Sequence, residues 1–574
     1  MIQSVLFAGV GHLAQSGSGC LGPNGTSITG LCTSDNSLHM PVAYRSILPM
    51  LVLFIGALVL LLVSALLSKR SRPGLYPVLS TAVGLAALVA SVWEWYDVGN
   101  RGVSTIGGQI FYDRFSVFFG VVVSVTVVLA SLVSDSYLRR EGLDGVEAYA
   151  LILLAGTGAV LMAEAAGLIM LFLGLEIMSI ALYVMAAYHR RRTESGEAGF
   201  KYFILGSFSS AIFLYGVALT YGATGSTRFQ DIAGYLARNT LVHDGVLLAG
   251  MALLIVGLGF KVAAVPFHFW TPDVYQGSPT PFTGYMAALA KAAGFAGLLR
   301  TLTGALSSQQ ANWRPVIWLI AVLTLLIGSV MAIAQRDLKR MMAYSSISQA
   351  GYVLVGLQAG SAAGTAGSLF YLFTYAFVIV GTFAVLGLIQ GPGEARNDLG
   401  AIRGLARRRP GLAMAMLVFL LAQAGVPLTS GFLAKFYVIE ASVQRGQYPL
   451  AIIAMLAAAI AAFFYLRIAL LMYAGEGEAA GPAPALEPAG GGAEAAGEAA
   501  GEAFVADGAL TAGLQPVPSL DGATATLTWE PPPEERIAIP PAVAATLAIC
   551  VVFTIAAGVS SPIIDFARHA TAMI

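Results

Sequence analysis

An all-α polytopic membrane protein of about 14 transmembrane helices is predicted by three observations. Hydrophobic residues make up 57% of the 574-residue chain and charged residues only 11%, whereas a soluble domain carries roughly a quarter charged residues. Apolar runs of about 20 residues, the length that crosses a bilayer as a helix, recur along most of the sequence. Two of those runs, five apart, are interrupted by prolines with glycines nearby, Pro266 and Pro427. Five is odd, so a five-helix unit starts its second copy upside down. Two inverted five-helix repeats, spans 4–8 and 9–13, each with a broken helix, are therefore expected.

Taken in order, residues 1–44 are Gly/Ser/Asn-rich and read as a loose N-terminal extension. The first residues lack a basic stretch before a long apolar run, so no signal peptide is read there. Cys20 and Cys32 form either a disulfide on an oxidising face or two free thiols. Helices 1–3 fall within 45–146, near 47–67, 76–95 and 115–134. The first repeat, 147–303, holds spans near 147–164, 167–187, 201–222, 246–267 and 281–303. The second, 315–473, holds spans near 315–334, 341–359, 366–390, 411–440 and 449–473. Residues 476–535 contain eleven acidic residues and no Lys or Arg. Such an Ala/Gly/Pro-rich segment cannot bury enough apolar area to offset ordering entropy, and it is expected to be a disordered cytoplasmic insert. The last span, near 538–559, lies in the C-terminal part, 536–574.

Basic residues set the orientation. Loops after odd-numbered spans carry clusters such as Arg190–Arg192 and Arg407–Arg409, while loops after even-numbered spans carry single arginines such as Arg228 and Arg445. The odd loops are expected in the cytoplasm, which places both termini on the outer face.

Several function classes are set aside. A net charge of 0 makes no case for nucleic-acid binding. The three cysteines lack metal-ligand spacing, and no glycine-rich loop follows a strand pattern. No Fe–S, haem, zinc or nucleotide site is therefore legible.

The informative residues are charges inside apolar runs. Glu176 sits in LFLGLEIMS, Lys261 in GLGFKVAAVPFHFW, Lys291 in MAALAKAAG and Lys435 in GFLAKFY. A lysine at the centre of a membrane helix costs roughly 2.5–3.5 kcal/mol on insertion scales, so a chain that keeps one uses it or pairs it. A Glu176–Lys261 pair would hold the lysine protonated, and moving the carboxylate would release the proton. Lys291 would accept it through water, and Lys435 would be the next station. Lys201, in GFKYF, opens a span and either snorkels to the interface or joins the relay. His268 follows the Pro266 break and either relays protons or hydrogen-bonds exposed backbone. Tyr344, Ser345, Ser346, Ser348 and Gln349 give an otherwise apolar span groups that order water or join helices. Asp337 and Lys339 read as interfacial.

At these residues the chain resembles a known family. GLEIMS, FKYFILGS, GFKVAAVPFHFWTPDVYQGSPTP, AKAAGF, QRDLKRMMAYSSISQAGY and GVPLTSGFLAKFY occur in this order. Together they look like the antiporter-like membrane subunits of respiratory complex I, over about residues 45–475 and the last helix. The resemblance implies a 14-helix fold in the bacterial inner membrane, beside other complex I membrane subunits. It implies that Glu176 and Lys261 are a coupled pair, Lys291 a central relay and Lys435 the outward station. It implies no cofactor in this chain, with NADH, FMN, Fe–S clusters and quinone handled by partner subunits. Many relatives carry His where Gln349 stands, and Gln cannot titrate. Two other readings remain open: a subunit of a multisubunit cation/proton antiporter, and a scaffold that carries no protons.

Overall fold

The structure, a computed structural model, describes residues 44–67, 74–99, 102–239, 244–474, 537–559 and 562–571. The N-terminal extension up to residue 43, Cys20 and Cys32, and the 476–535 insert lie outside the described residues.

Three helices lead: α1 (Leu48–Leu66), α2 (Leu75–Asp97) and α3 (Arg114–Arg140). A first group follows with α4 (Val146–Glu164), α5 (Leu168–Ala186), α6 (Thr193–Thr224), α7 (Phe229–Arg238), α8 (Gly245–Lys261), α9 (Trp270–Gly277) and α10 (Thr280–Leu299). A second group has α11 (Gln310–Ile333), α12 (Leu338–Gln358), α13 (Ala362–Ile389), α14 (Leu405–Arg408), α15 (Pro410–Ala424), α16 (Ser430–Gln444) and α17 (Tyr448–Tyr473). The chain closes with α18 (Pro541–Val559) and α19 (Pro562–Thr571).

Among the described residues, eleven helices are long and apolar enough to cross a membrane. The remaining predicted spans fall on the interrupted helices α8/α9 and α15/α16 and on α12. That helix has the length but dilutes its apolar residues with Tyr344, Ser345, Ser346, Ser348 and Gln349. Three small elements were not expected. Strands β1 (Val103–Thr105) and β2 (Ile110–Tyr112) form an antiparallel hairpin between α2 and α3, so the fold is not wholly helical. The amphipathic helix α7 tucks in Phe229, Ile232 and Leu236. The equally amphipathic α19 inserts Phe566 between Trp95 and Phe118, with centroids 4.2 and 4.9 Å away. Ten-residue helices of this kind are too short for hydropathy to register, and they lie flat by burying one stripe.

The packing centre is α10, every residue of which is buried. Its MAALAKAAGFAG sequence is small-residue-rich, which lets α3, α4, α8 and α13 approach closely. A second close crossing joins α4 to α5: a Cβ at Gly174 would meet the Met162 nitrogen at 2.8 Å and the Gly158 carbonyl oxygen at 2.9 Å. Glycine there fixes how α5 presents Glu176, two residues on.

Both breaks satisfy their backbone groups within the protein, as membrane depth requires. In the first, the Val265 N–H donates to Thr324 Oγ1 of α11 (2.9 Å), and Trp270 Nε1 donates to the Phe260 carbonyl (2.9 Å). Ala263 takes a left-handed φ of 60° to make the turn. The helix ends at Lys261, ahead of the expected interruption at Pro266, so Lys261 is a terminal residue and not a mid-helix one. In the second break, Gly425 (φ 88°) and Leu428 (φ 71°) turn the chain. Thr429 Oγ1 donates to the Val426 carbonyl at 2.6 Å.

Candidate functional site

Lys261, Lys291 and Lys435 are 2%, 3% and 5% exposed, and none of the three forms an ion pair among the described residues. Each instead lies against aromatic rings, and Lys291 and Lys435 also donate to carbonyls. A buried ammonium held this way is stabilised by dipoles and ring faces without being neutralised.

Lys261 ends α8, where the free carbonyls of the half-helix make a partial negative charge. Its Nζ lies over the rings of Tyr183 and Tyr202, 5.5 and 5.3 Å from their centroids. Tyr202 is stacked on Trp270 of α9 at 4.4 Å, so the second half of the broken helix braces the lysine's cage. The predicted Glu176–Lys261 pair is not a direct salt bridge. Glu176 acts on Lys261 electrostatically from α5, and its Oε1 is buried without a hydrogen-bond partner. Tyr183, two turns beyond Glu176 on α5, stands against the lysine in its place. The two charges are on different elements, Glu176 on α5 and Lys261 at the end of α8.

Lys291, in the middle of α10, donates to both the carbonyl and the Oγ of Ser346 on α12. The same Oγ receives the Tyr375 hydroxyl at 2.8 Å, and the Lys291 Nζ lies 5.6 Å from the Tyr375 ring centroid. Lys261 is close by along α10: a Cβ at Gly294, one turn from Lys291, would sit 3.5 Å from the Lys261 Cβ and Cγ.

Lys435, on α16, reaches back across the second break. Its Nζ donates to the carbonyls of Gln423 (2.7 Å) and Ala424 (2.9 Å), the last of α15, and lies over Tyr352 at 4.7 Å. The two broken helices thus each end their first half on a lysine, one by sequence and one by reach.

Around Gln423, which accepts from Lys435, and next in sequence to Ser346, which accepts from Lys291, lies a lattice of uncharged groups. Ser345 Oγ donates to Gln423 Oε1 (3.1 Å) and shares a 2.6 Å hydrogen bond with the Tyr465 hydroxyl of α17. Gln349 Nε2 donates to that hydroxyl (2.9 Å) and to the Gln423 carbonyl (3.1 Å). Tyr371 donates to Gln349 Oε1. Gln349 is thus fully occupied in tying α12 to α13, α15 and α17. Sequence reading found Ser345, Ser346 and Gln349 but missed Tyr371, Tyr375, Gln423 and Tyr465. Gln423 was legible as the one amide in LLAQAG. Tyrosines in an apolar run resemble any interfacial aromatic until their partners are known.

The remaining expectations resolve differently. Lys201 lies outside the lysine row: its side chain is 40% exposed and bonds Glu197 (2.6 Å) and Asp273 (2.9 Å). The helix α6 begins two turns before it, which carries it to the rim of a cleft of about 860 Å³. Arg340 joins Asp273 there at 2.7 Å. His268 is 7% exposed, and its Nδ1 is buried and unpaired beside the Phe269 ring. Lys339, expected at an interface, is wholly buried: it pairs with Glu394 at 2.9 Å and donates to the Ser278 carbonyl at 2.5 Å. The missed Glu394, from the loop after α13, also takes Arg192 (2.6 Å) and the backbone and hydroxyl of Thr280 (2.8 and 2.7 Å). Burial alone pushes this carboxyl up, but Lys339 and Arg192 outweigh it and hold it at about 2. Among the described residues no three His, Cys, Asp or Glu side chains group as metal ligands.

Comparison with known proteins fits this geometry. The family described as NADH:quinone oxidoreductase/Mrp antiporter, transmembrane, matches residues 165–461. NADH-quinone oxidoreductase subunit N of Trichlorobacter lovleyi is 44% identical over 441 residues, covering 77% of this chain and 90% of the relative. The subunit N of Mycobacterium tuberculosis is 39% identical over 475 residues, covering 75% and 89%. A chain of respiratory complex I from Thermus thermophilus superposes with a TM-score of 0.67 at 29% identity, over 89% of this chain and 96% of that one. A chain of the Mrp complex from a Dietzia species superposes with a TM-score of 0.75 at 23% identity, over 92% and 97%, a likeness of fold alone. With this identity over three quarters of its length, the chain belongs to the NADH-quinone oxidoreductase subunit N family of antiporter-like membrane proteins.

Proposed function

We propose that this chain is a proton-translocating membrane-arm subunit of a NADH-quinone oxidoreductase in the bacterial inner membrane. It packs there in the lipid bilayer beside neighbouring antiporter-like subunits. NADH, FMN, Fe–S clusters and quinone belong to partner subunits, and this chain's part is charge movement. The observation that carries the reading is the set of three buried lysines, none of them in an ion pair among the described residues, with hydroxyls and amides packed about Lys291 and Lys435. An ammonium held outside an ion pair responds to modest electrostatic changes around it.

Glu176 on α5 sets the proton affinity of Lys261, Lys291 on α10 takes the proton, and Lys435 passes it outward. His268 is a candidate acceptor at the first break. Residues 147–303 and 315–473 act as inverted halves, each with its lysine at a break. The loops rich in arginine face the cytoplasm, which puts both termini on the outer face. Residues 476–535 are an insert outside this machinery.

The test is made in the assembled complex in proteoliposomes. Lys261→Ala and Glu176→Ala each lower proton pumping together with coupled quinone reduction. Wild-type pumping in both variants would sink the reading. Co-purification separates it from the antiporter reading, which expects no redox subunits alongside the chain.

A further inference from the structure

We propose that the arginine surface formed by Arg336, Arg407, Arg408, Arg409 and Arg467 is the docking surface for this chain's own acidic segment, residues 476–535. The surface involves none of the three buried lysines, and its test is independent of whether they carry protons.

Three elements build the surface. Helix α17 ends at Tyr473. In its last turn the Leu471 carbonyl accepts from the Gly404 N–H at 3.2 Å, which seats residues 399–409 against the helix end. Arg467, one turn further back, donates to the Ile333 carbonyl at the end of α11 (3.3 Å). Just past that end, the Arg336 carbonyl accepts from the Leu399 N–H at 3.1 Å. The five arginines are thereby gathered at one end of the helix bundle, and among the described residues none of them meets a carboxylate. Arg407 is exposed, and the Nε atoms of Arg408 and Arg409 have no acceptor. Arg408 otherwise holds the carbonyls of Ala401 (3.2 Å) and Arg403 (2.7 Å). The carboxylates of Asp337 and Asp398, close by in the chain, are turned to backbone: Asp398 accepts from the Gly400 N–H (3.0 Å) and Asp337 from the Arg340 N–H (2.8 Å). Like charges held together without a counter-charge repel, so an anion brought to them is favoured.

Charge and tethering identify the occupant. Residues 476–535 hold eleven acidic residues and no Lys or Arg. The segment departs directly after Ala474, the cap of α17, close to the Leu471 carbonyl that holds the arginine loop. It returns just ahead of α18. That helix runs antiparallel to α13: Cys550 lies against the Gly381 backbone, and Phe553 stacks on Phe377 at 3.7 Å. The start of α18 therefore stands at the end of α13, from which the chain runs on into residues 392–409. Both ends of the acidic segment are thus fixed at the end of the bundle that carries the arginines. A chain of about 30 residues, half the segment, reaches about 30 Å as a coil, so all of it can return to the surface. Tethering at that range gives an effective concentration on the order of mM. A lipid headgroup offers the same charge without the tether.

The experiment uses the intact complex in zwitterionic nanodiscs, which leave both faces open to a Glu-specific endoprotease. The readout is the rate at which residues 476–535 are cut, which follows the population of the undocked form. The wild type is expected to be cut slowly at low salt and faster in roughly 0.5 M NaCl, where the screening length falls to about 4 Å. Arg407→Gln, Arg408→Gln and Arg409→Gln combined are expected to raise the low-salt rate about tenfold, the joint contribution of three exposed charge pairs. Glu494→Gln, Glu498→Gln and Glu502→Gln combined leave the arginines and the helices untouched, and are expected to speed cutting at the remaining glutamates to a similar degree. Equal rates in the wild type and both variants overturn the proposal, as does a wild-type rate that salt does not change. Loss of the protection in nanodiscs rich in phosphatidylglycerol assigns the surface to lipid headgroups and also overturns it. If the arginine variant fails to assemble, the glutamate variant decides.

Discussion

At the residue scale, the charges divide by what meets them. Lys261, Lys291 and Lys435 rest on rings, carbonyls and hydroxyls, so their protons are only loosely held by fixed charge. Lys339 is equally buried but is clamped by Glu394, which also holds Arg192 and Thr280. The first arrangement suits transfer and the second suits anchoring. Glu394 gives a prediction with a sign. Its carboxyl is held at about 2 against an ordinary 4.5, so it adds stability that is complete above the ordinary value and drains as pH falls toward 2. The amount is on the order of 3 kcal/mol. The thermal midpoint of the detergent-solubilised protein is therefore expected to fall between pH 4.5 and 2. Glu394→Gln loses that acid limb and starts from a lower midpoint at neutral pH, because Lys339 and Arg192 lose their counter-charge. A variant that keeps the wild-type acid limb would show that other carboxyls set it.

At the element scale, the two breaks do the same work by different means. At the first, the chain leaves the helix at Lys261, and a side chain on α11 takes over the backbone's hydrogen bonding. At the second, Lys435 from the far half-helix covers the free carbonyls. The first arrangement predicts a cost. Thr324→Val keeps the shape of the side chain but leaves the Val265 N–H without a partner, and is expected to destabilise by about 1–3 kcal/mol. Thermal unfolding checks this, and an unchanged midpoint would mean the N–H finds another acceptor. Local sequence announced both breaks, since a proline among glycines inside an apolar run has few other readings. It misplaced the first by five residues (Lys261 against Pro266), because the helix is ended by the turn at Ala263 and the contacts to Thr324 and Trp270 before the proline is reached.

At the scale of the whole molecule, α10 is the axis, and charged staples at each end of it fix the rest. At its start, Thr280 holds Glu394 and so the loop after α13. At its end, Arg300 forms a bidentate pair with Asp113 at 2.5 and 2.7 Å, with both side chains 5% exposed. The Arg300 guanidinium also lies over Phe111 and Phe115, at 4.8 and 4.5 Å. Asp113 caps α3 as well, accepting from the Ser116 N–H at 2.8 Å. This residue therefore ties the three leading helices to the first half. Asp113→Ala removes a cap and leaves a buried guanidinium unpaired, at a cost of about 3–5 kcal/mol. The expected readout is a lower thermal midpoint and less assembled complex, and wild-type yield with an unshifted midpoint would count against the staple.

What the sequence by itself determined is the succession of apolar helices, the two interrupted helices and the identity of the buried lysines. Lipid makes those features local: it demands about 20 apolar residues per crossing and penalises each charge where it stands. The tertiary structure alone decided who meets whom. Ser346 under Lys291 is 55 residues away in sequence, Tyr465 on Ser345 is 120 away, and Asp113 on Arg300 is 187 away. The same holds for Tyr183 standing against Lys261, and for Glu394 reaching in from a Gly/Pro-rich loop to pair with the buried Lys339. Hydropathy reads a residue against its neighbours in the chain, whereas a proton path depends on side chains that only folding brings within hydrogen-bond reach.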